Sequence, residues 1–254
     1  MNLLKRGHFL HRAWRYRLRS EKFGVAFLRS RDLRGRTAVD IGANRGIFSY
    51  WMSRCVGPDG RVVAFEPQPE LAVQLQELRR DFSLNRLEIV EAGLSSTAGV
   101  LTLRRPKDFW GGASFQGSDA DDGGCDLIRV RVLKLDDHFA AHPDRPIAFI
   151  KCDVEGHELH VFQGGQRILT EDRPDLLFEC HEAADTNCPV FSYLRSLDFV
   201  GFCFFGNGFA PIADFPALYH RMHKRARQDV VFVPRERAAG LRLAGRTTAH
   251  PVAA

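Results

Sequence analysis

The chain has 254 residues, 44% of them hydrophobic and 26% charged, with a formal charge of +5. That balance suits a globular chain with a sizeable core and excludes a disordered, collagenous or coiled-coil one. The longest apolar runs, such as 200–205, fall well short of the roughly 20 residues that a membrane-spanning helix needs, so no transmembrane span is expected.

Charge is unevenly placed. Residues 1–36 carry 11 basic and 2 acidic side chains, Arg221–Arg246 carries 8 and 2, and the middle is left at −10. Residues 1–35 read as a basic amphipathic helical arm, because Leu10, Trp14 and Leu18 recur at helical spacing among Arg12, Arg15, Arg17 and Arg19. Packing against its own domain is the preferred reading, with weak contact to an anionic membrane surface or an acidic partner as the alternative. Six cysteines stand singly without a CxxC pair, and the amino terminus MNLLKRGHFLHR lacks the apolar core of a signal peptide. These features predict reduced thiols and a cytoplasmic location, with the arm as the element that would bring the protein to the inner face of a membrane.

From Thr37 a βαβ rhythm begins. TAVDI (37–41) reads as a strand, then a glycine-bearing turn, then IFSYWMSRCV as a helix stopped at Gly57-Pro58. RVVAFEP is a second strand, PELAVQLQELRRDF a helix and RLEIVEAGL a third strand. IAFIKCDVEG and ELHVFQGGQRIL form the next strand and helix, DLLFECHE and FSYLRSLDF another pair, and VGFCFF and DVVFVP two closing strands. Near-continuous apolar strands alternating with helices predict a mostly parallel sheet of seven strands covered on both faces. Between 99 and 145 the period changes to two in VLTLRR and LIRVRVL, which predicts an inserted hairpin or flap with a Gly/Asp-rich tip. The domain is expected over 36–234, followed by a basic, frayed tail over 235–254.

Ligands of an open parallel sheet bind outside the carboxyl ends of its strands. The first end reads Asp40-Ile41-Gly42-Ala43-Asn44-Arg45-Gly46. It matches neither the dinucleotide GxGxxG pattern nor a phosphate loop, and Asp40 would repel a pyrophosphate, so a ligand with a cationic group and no phosphate is indicated. Asn44 stands where a left-handed backbone is needed. Glu66 ends the second strand 20 residues after Gly46, the place where a carboxylate grips a ribose diol. Ribose plus a cationic group describes S-adenosylmethionine; alone, Asp40 and Glu66 could equally cap helices. Ala92 and Gly93, in the third turn, permit close approach of an adenine ring, although a plain tight turn explains them as well. At the fourth strand end, alternation puts Lys151, Asp153 and Glu155 on one side, a costly arrangement unless these groups pair or bind something. Glu179 and His181 share a side of the fifth strand. A lone histidine is usually structural, but the place of His181 beside the inferred cofactor makes it a candidate catalytic group.

In this order "VDIGANRG", "AFEP", "LDD", "IKCDVEGHE" and "LLFECHE" resemble the FkbM-type methyltransferases, over about residues 36–205. The resemblance implies the class I, Rossmann-like S-adenosylmethionine-dependent fold and O-methylation of sugars or natural products. It implies that Asp40, Gly42, Asn44 and Gly46 cradle the methionine end of the cofactor, that Glu66 holds its ribose, and that Asp153 and Glu155 lie by the transfer site. Asn44 replaces the glycine of generic class I enzymes, as is usual in this family.

The resulting expectation is methyl transfer to a hydroxyl oxygen of a small polar acceptor such as a sugar, glycan or secondary metabolite. His181 is the first choice as base, with Asp153 and Glu155 behind it, and Glu179 or Asp153 would orient the imidazole. The same Asp153, Glu179 and His181 could hold a divalent ion, but without a ligand-spacing motif the metal-free version is preferred. Residues 107–126, with Phe109, Trp110 and Ser114, are expected to wall the acceptor site. The rivals are an RNA methyltransferase guided by the basic ends and a noncatalytic scaffold that keeps the fold. The acidic middle of the chain and the lack of an RNA-binding signature argue against nucleic acid.

Overall fold

The computed structural model describes residues 3–108, 110–116, 124–140, 146–183, 185–223 and 229–241. Phe109, the tip of the expected flap and most of the expected tail lie outside them.

Two helices, α1 (Leu3–Arg15) and α2 (Lys22–Ser30), precede the first strand and are joined by a π-helical turn, Tyr16–Ser20. The arm does pack on the sheet domain, but through a different face from the one its sequence suggested. Ala13 is fully buried, its carbonyl accepts a hydrogen bond from Trp51 Nε1 at 3.2 Å, and Phe9 packs between Tyr50 and Phe82. Leu4, Trp14 and Leu18 stay exposed. Trp14 meets Trp51 edge to face, and Arg17 spans both rings. The sequence pattern had marked the wider apolar stripe, but the small Ala13 is what lets the helix backbone approach the indole. α2 is a core helix rather than part of a solvated arm, with Val25, Phe27 and Leu28 buried.

The strands are β1 (Thr37–Ile41), β2 (Arg61–Phe65), β3 (Leu87–Val90), β4 (Gly93–Leu94), β5 (Gly99–Pro106), β6 (Cys125–Leu133), β7 (Ile147–Cys152), β8 (Asp175–Glu179), β9 (Phe199–Phe205), β10 (Gly208–Pro211) and β11 (Asp229–Pro234). Eight of them form one sheet in the order β10-β9-β11-β8-β7-β1-β2-β3. Pairing is parallel from β3 across to β8, and β11 runs antiparallel to both β8 and β9. This is the expected class I methyltransferase architecture with one strand more than the seven anticipated. β10 reads only GFAP, too short and too rich in glycine and proline to register as an apolar run, yet it pairs antiparallel with β9. The expected hairpin is present as β5 and β6, and β4 joins it as a second, three-stranded sheet. RLEIVEAGL therefore divides between two sheets.

Helices α3 (Ile47–Val56), α4 (Pro69–Asp81), α5 (Leu135–His138), α6 (Glu158–Gln163), α7 (Gln166–Glu171) and α8 (Pro189–Ser196) connect the strands. α3 starts at a left-handed Gly46 and stops at Gly57, and α4 and α8 carry proline in the first turn, where its missing N–H costs nothing. ELHVFQGGQRIL, read as one helix, is broken into α6 and α7 at Gly164-Gly165. A Cβ at Gly164 would collide with the Ser95 carbonyl, so the chain passes too close to the second sheet for a continuous helix there. Phe162, Phe178, Phe191 and Phe232 pack ring against ring in the core. Burying each such ring stabilises the fold by about 1.5–3 kcal/mol.

Candidate active site

Strand order reverses between β1 and β7, and the site opens at the carboxyl ends of those strands, as the topology requires. Gly42 has φ +73°, and a Cβ there would collide with the Asp153 carbonyl oxygen, so only glycine lets the β1 and β7 ends come this close. Asn44 (φ +50°) and Gly46 (φ +77°) also take the left-handed backbone expected of this turn.

Glu66 is buried and braces the first two turns. Its Oε2 accepts the Asn44 N–H at 2.8 Å and its Oε1 the Gln68 N–H at 3.0 Å. Burial raises its pKa to about 7 against the pull of those two N–H donors. Each oxygen keeps a lone pair for a further donor. Glu66 lines a slot of about 50 Å³ with Gly42, Asn44, Gln68 and Gly93. Phe115 of the flap lies against Gly93, Gly111 and Ala113 also line the slot, and Gln68 Nε2 donates to the Trp110 carbonyl at 3.2 Å. Ala92 is buried and does not face this slot; of the third turn's pair, Gly93 alone does.

The larger cleft, about 930 Å³, continues from Gly42 and Asn44 toward His181. Asp40, Lys151, Asp153, Glu155, Glu179 and His181 line its floor. Asp40 is fully buried. Ser49 Oγ donates to its Oδ2 at 2.6 Å, while its Oδ1 has no partner among the described residues. Burial raises the Asp40 pKa, and Lys151 opposes that shift. Lys151 Nζ sits 2.8 Å from Asp153 Oδ2. Burial alone would lower the ammonium pKa, but Asp153 and Asp40 together drive it above its ordinary value, so Lys151 stays charged.

Strand alternation does not extend to Glu155. β7 ends at Cys152, and Glu155 occupies a tight turn with φ +51°, which nevertheless aims its carboxylate across the cleft. Its Oε2 lies 3.1 Å from His181 Nε2. The sequence suggested Glu179 or Asp153 as the carboxylate on His181; the structure adds Glu155 as a hydrogen-bonded partner. His181 is half-exposed; burial lowers its pKa, but the hydrogen bond to Glu155 and the charge of Glu179 raise it further, for a net upward shift. Glu179, half-buried, has its pKa raised to about 7 by desolvation and then by the charges of Asp153 and Glu155. Among the described residues no three His, Cys, Asp or Glu side chains are grouped so as to hold a metal ion.

The flap residues Trp110 and Ser114 reach the site as expected. Ser114 Oγ donates to the Glu155 carbonyl at 2.6 Å, and Gln116 Nε2 bonds the Gly156 carbonyl. Arg105 pins the flap to Glu70 and Asp126 at 3.1 Å each and stacks on Trp110. The arm also contributes to the cleft, which sequence reading missed: Arg12, Arg15 and Tyr16 line it beside Arg45, and Glu21 lines it near Lys151. The i, i+3, i+4 spacing of Arg12, Arg15 and Tyr16 carried that signal.

A buried acid with one unsatisfied oxygen, a glycine cradle and a carboxylate with spare lone pairs fit a ligand with a cationic end and a ribose. A comparison with curated proteins finds no match. Among solved structures the chain is similar to the methyltransferase FkbM of Methylobacillus flagellatus, at 20% identity and a TM-score of 0.50, over 78% of this chain but only 43% of that one. A protein designated an rRNA methylase, from Clostridium thermocellum, is similar at 12% identity and a TM-score of 0.52, over 85% of this chain and 94% of that one. At these identities the likeness concerns the fold alone. The family model described as the methyltransferase FkbM domain matches residues 40–203, which span the strand ends from Asp40 through His181. The chain belongs to the FkbM family of S-adenosylmethionine-dependent methyltransferases.

Proposed function

We propose that this chain methylates a hydroxyl oxygen of a small polar acceptor such as a sugar, glycan or secondary metabolite. When bound, S-adenosylmethionine supplies a sulfonium methyl group open to in-line displacement by that oxygen. The observation that carries the reading is the pairing of His181 with Glu155 at 3.1 Å over a cleft that continues from the glycine turn. Glu155 orients the imidazole through Nε2, and His181 is the group we assign to take the hydroxyl proton. Asp40 and Asp153 give the floor a negative field that suits a sulfonium, and Lys151 keeps that field from becoming prohibitive. Trp110 lines one side of the cleft, and Ser114 ties the flap to the Glu155 turn, which would help to align the reactants. A floor lined with carboxylates disfavours a nucleic-acid backbone, which is the ground for preferring a small acceptor.

The test is turnover of labelled S-adenosylmethionine against a panel of glycans, hydroxylated metabolites and RNA. His181→Ala should lose about 10² to 10⁴ in turnover while S-adenosylhomocysteine still binds. Because Glu155 and Glu179 raise the His181 pKa, turnover should fall with decreasing pH through a value above the ordinary 6.5. Methylation of RNA alone would overturn the acceptor class, and cofactor binding without turnover on any acceptor would favour the scaffold reading.

A further inference from the structure

The cleft is electrically divided. Its floor is acidic, whereas its outer wall brings together Arg12 and Arg15 from α1 and Arg45 from the glycine turn. No ion pair joins any of these three guanidiniums to a described residue, and Arg12 Nε is buried without a hydrogen-bond partner among them. Burial, then the neighbouring Arg45 and Arg15 cations, push the Arg12 pKa down, and Tyr16 only partly offsets this. Like charges gathered at one edge, one of them partly desolvated, raise the free energy of the unliganded protein. A bound oxyanion would reverse that cost through charge-assisted, bidentate hydrogen bonds.

Resting on the methyltransferase reading above, we propose that Arg12, Arg15 and Arg45 form a subsite for an oxyanion carried by the acceptor, a phosphate or carboxylate on the hydroxylated molecule. The acceptor is then an acidic sugar or acidic metabolite, held with its anion at the basic rim and its hydroxyl directed inward to His181. The division of the cleft supports this. The acidic floor suits the sulfonium end of the cofactor, and an anionic acceptor would be repelled from that floor unless the rim held it. Arg12 and Arg15 also lie outside residues 40–203, the part shared with the family, where a feature that selects the acceptor belongs. A continuous nucleic-acid backbone needs a basic track, whereas here the three arginines cover a single edge.

The oxyanion could instead be the carboxylate of the cofactor itself, and the experiment separates the two. Inorganic phosphate is titrated calorimetrically into the full chain, alone and saturated with S-adenosylhomocysteine. Weak phosphate binding that persists in the saturated protein is expected, weakened about tenfold or more in Arg12→Gln, Arg15→Gln and Arg45→Gln, with S-adenosylhomocysteine affinity changed less than about twofold. Arg15 and Arg45 are exposed, so those two variants test the subsite even if Arg12→Gln folds poorly. Competition between phosphate and S-adenosylhomocysteine, with variants that lose affinity for the latter, would overturn the proposal in favour of the cofactor carboxylate. Phosphate binding that is absent in the wild type, or unchanged in the variants, would overturn it outright. Tight binding of an RNA oligonucleotide with a steep salt dependence would overturn it in favour of a polyanion. If S-adenosylhomocysteine fails to bind the wild type, the methyltransferase reading falls, and the phosphate titration of the protein alone still decides the subsite.

Discussion

Glu66 is proposed to hold the ribose, and that role and its burial would pull its proton in opposite directions. In the free protein it is buried with a pKa near 7, so near neutrality a large fraction is protonated. Ribose hydroxyls donating to the carboxylate would favour its ionised form, so binding should release a proton. S-adenosylhomocysteine affinity is therefore expected to rise as pH increases from 6 to 8, up to about tenfold per unit below the pKa. Calorimetry in buffers of different ionisation enthalpy would detect the released proton, and Glu66→Gln should remove the pH dependence and weaken binding. An affinity independent of pH in the wild type would mean that the ribose does not touch Glu66. The motif made this residue legible in the sequence. Its bond to the Asn44 amide was not legible, because it depends on how two turns 22 residues apart are folded together, whereas the bond to the Gln68 amide is local.

At the level of elements, α1 shows where periodicity misleads. Leu10, Trp14 and Leu18 formed the obvious stripe, yet the seat of the helix is built around the fully buried Ala13. Hydrophobic pattern records size and polarity, whereas close approach selects for smallness, which no moment detects. Ala13→Glu should force a charge into that seat and release the arm. We expect faster tryptic cleavage within residues 12–22, a lower melting temperature and a weaker phosphate response if Arg12 and Arg15 leave the cleft. The first two βα units were readable almost to the residue, since buried parallel strands are near-continuously apolar and their helices carry Gly and Pro at the ends, whereas the helix read over 191–199 runs Pro189–Ser196 and Phe199 opens β9. The misreadings fall where two elements meet: the Gly164-Gly165 break under Ser95, the division of β3 from β4, and the turn that carries Glu155. Each is set by a contact distant in sequence.

Over the whole molecule two buried groups oppose one another in acid. His157 is buried against Phe115, with Ser95 Oγ at 3.0 Å from its Nε2; burial, then the charge of His160, lower its pKa to about 4. A folded-state pKa below the unfolded value means stability present above pH 6.5 and lost as pH falls toward 4, by about 3 kcal/mol. Glu66 has the reverse sign. Its folded pKa lies above the unfolded one, so its stabilisation is full below pH 4.5 and lost as pH rises through 7, by a similar amount of about 3 kcal/mol. The two windows overlap, and their contributions nearly cancel between pH 4.5 and 6.5. In urea titrations over that range, Glu66→Gln is expected to become acid-sensitive and His157→Asn acid-tolerant relative to the wild type. Parallel profiles for all three proteins would remove both assignments.

The docking of α1 against Tyr50, Trp51 and Phe82 also has a meaning in time. The arm is synthesised before the domain it packs on, and the last ring of its seat, Phe82, follows Phe9 by more than 70 residues. At about 5–20 residues per second, Phe9 and Trp14 wait several seconds without a surface to cover them. The floor of the cleft is completed later still, when Glu179 and His181 emerge. Through that interval the arm's dense positive charge, 11 basic against 2 acidic side chains over residues 1–36, opposes self-association of the uncovered rings.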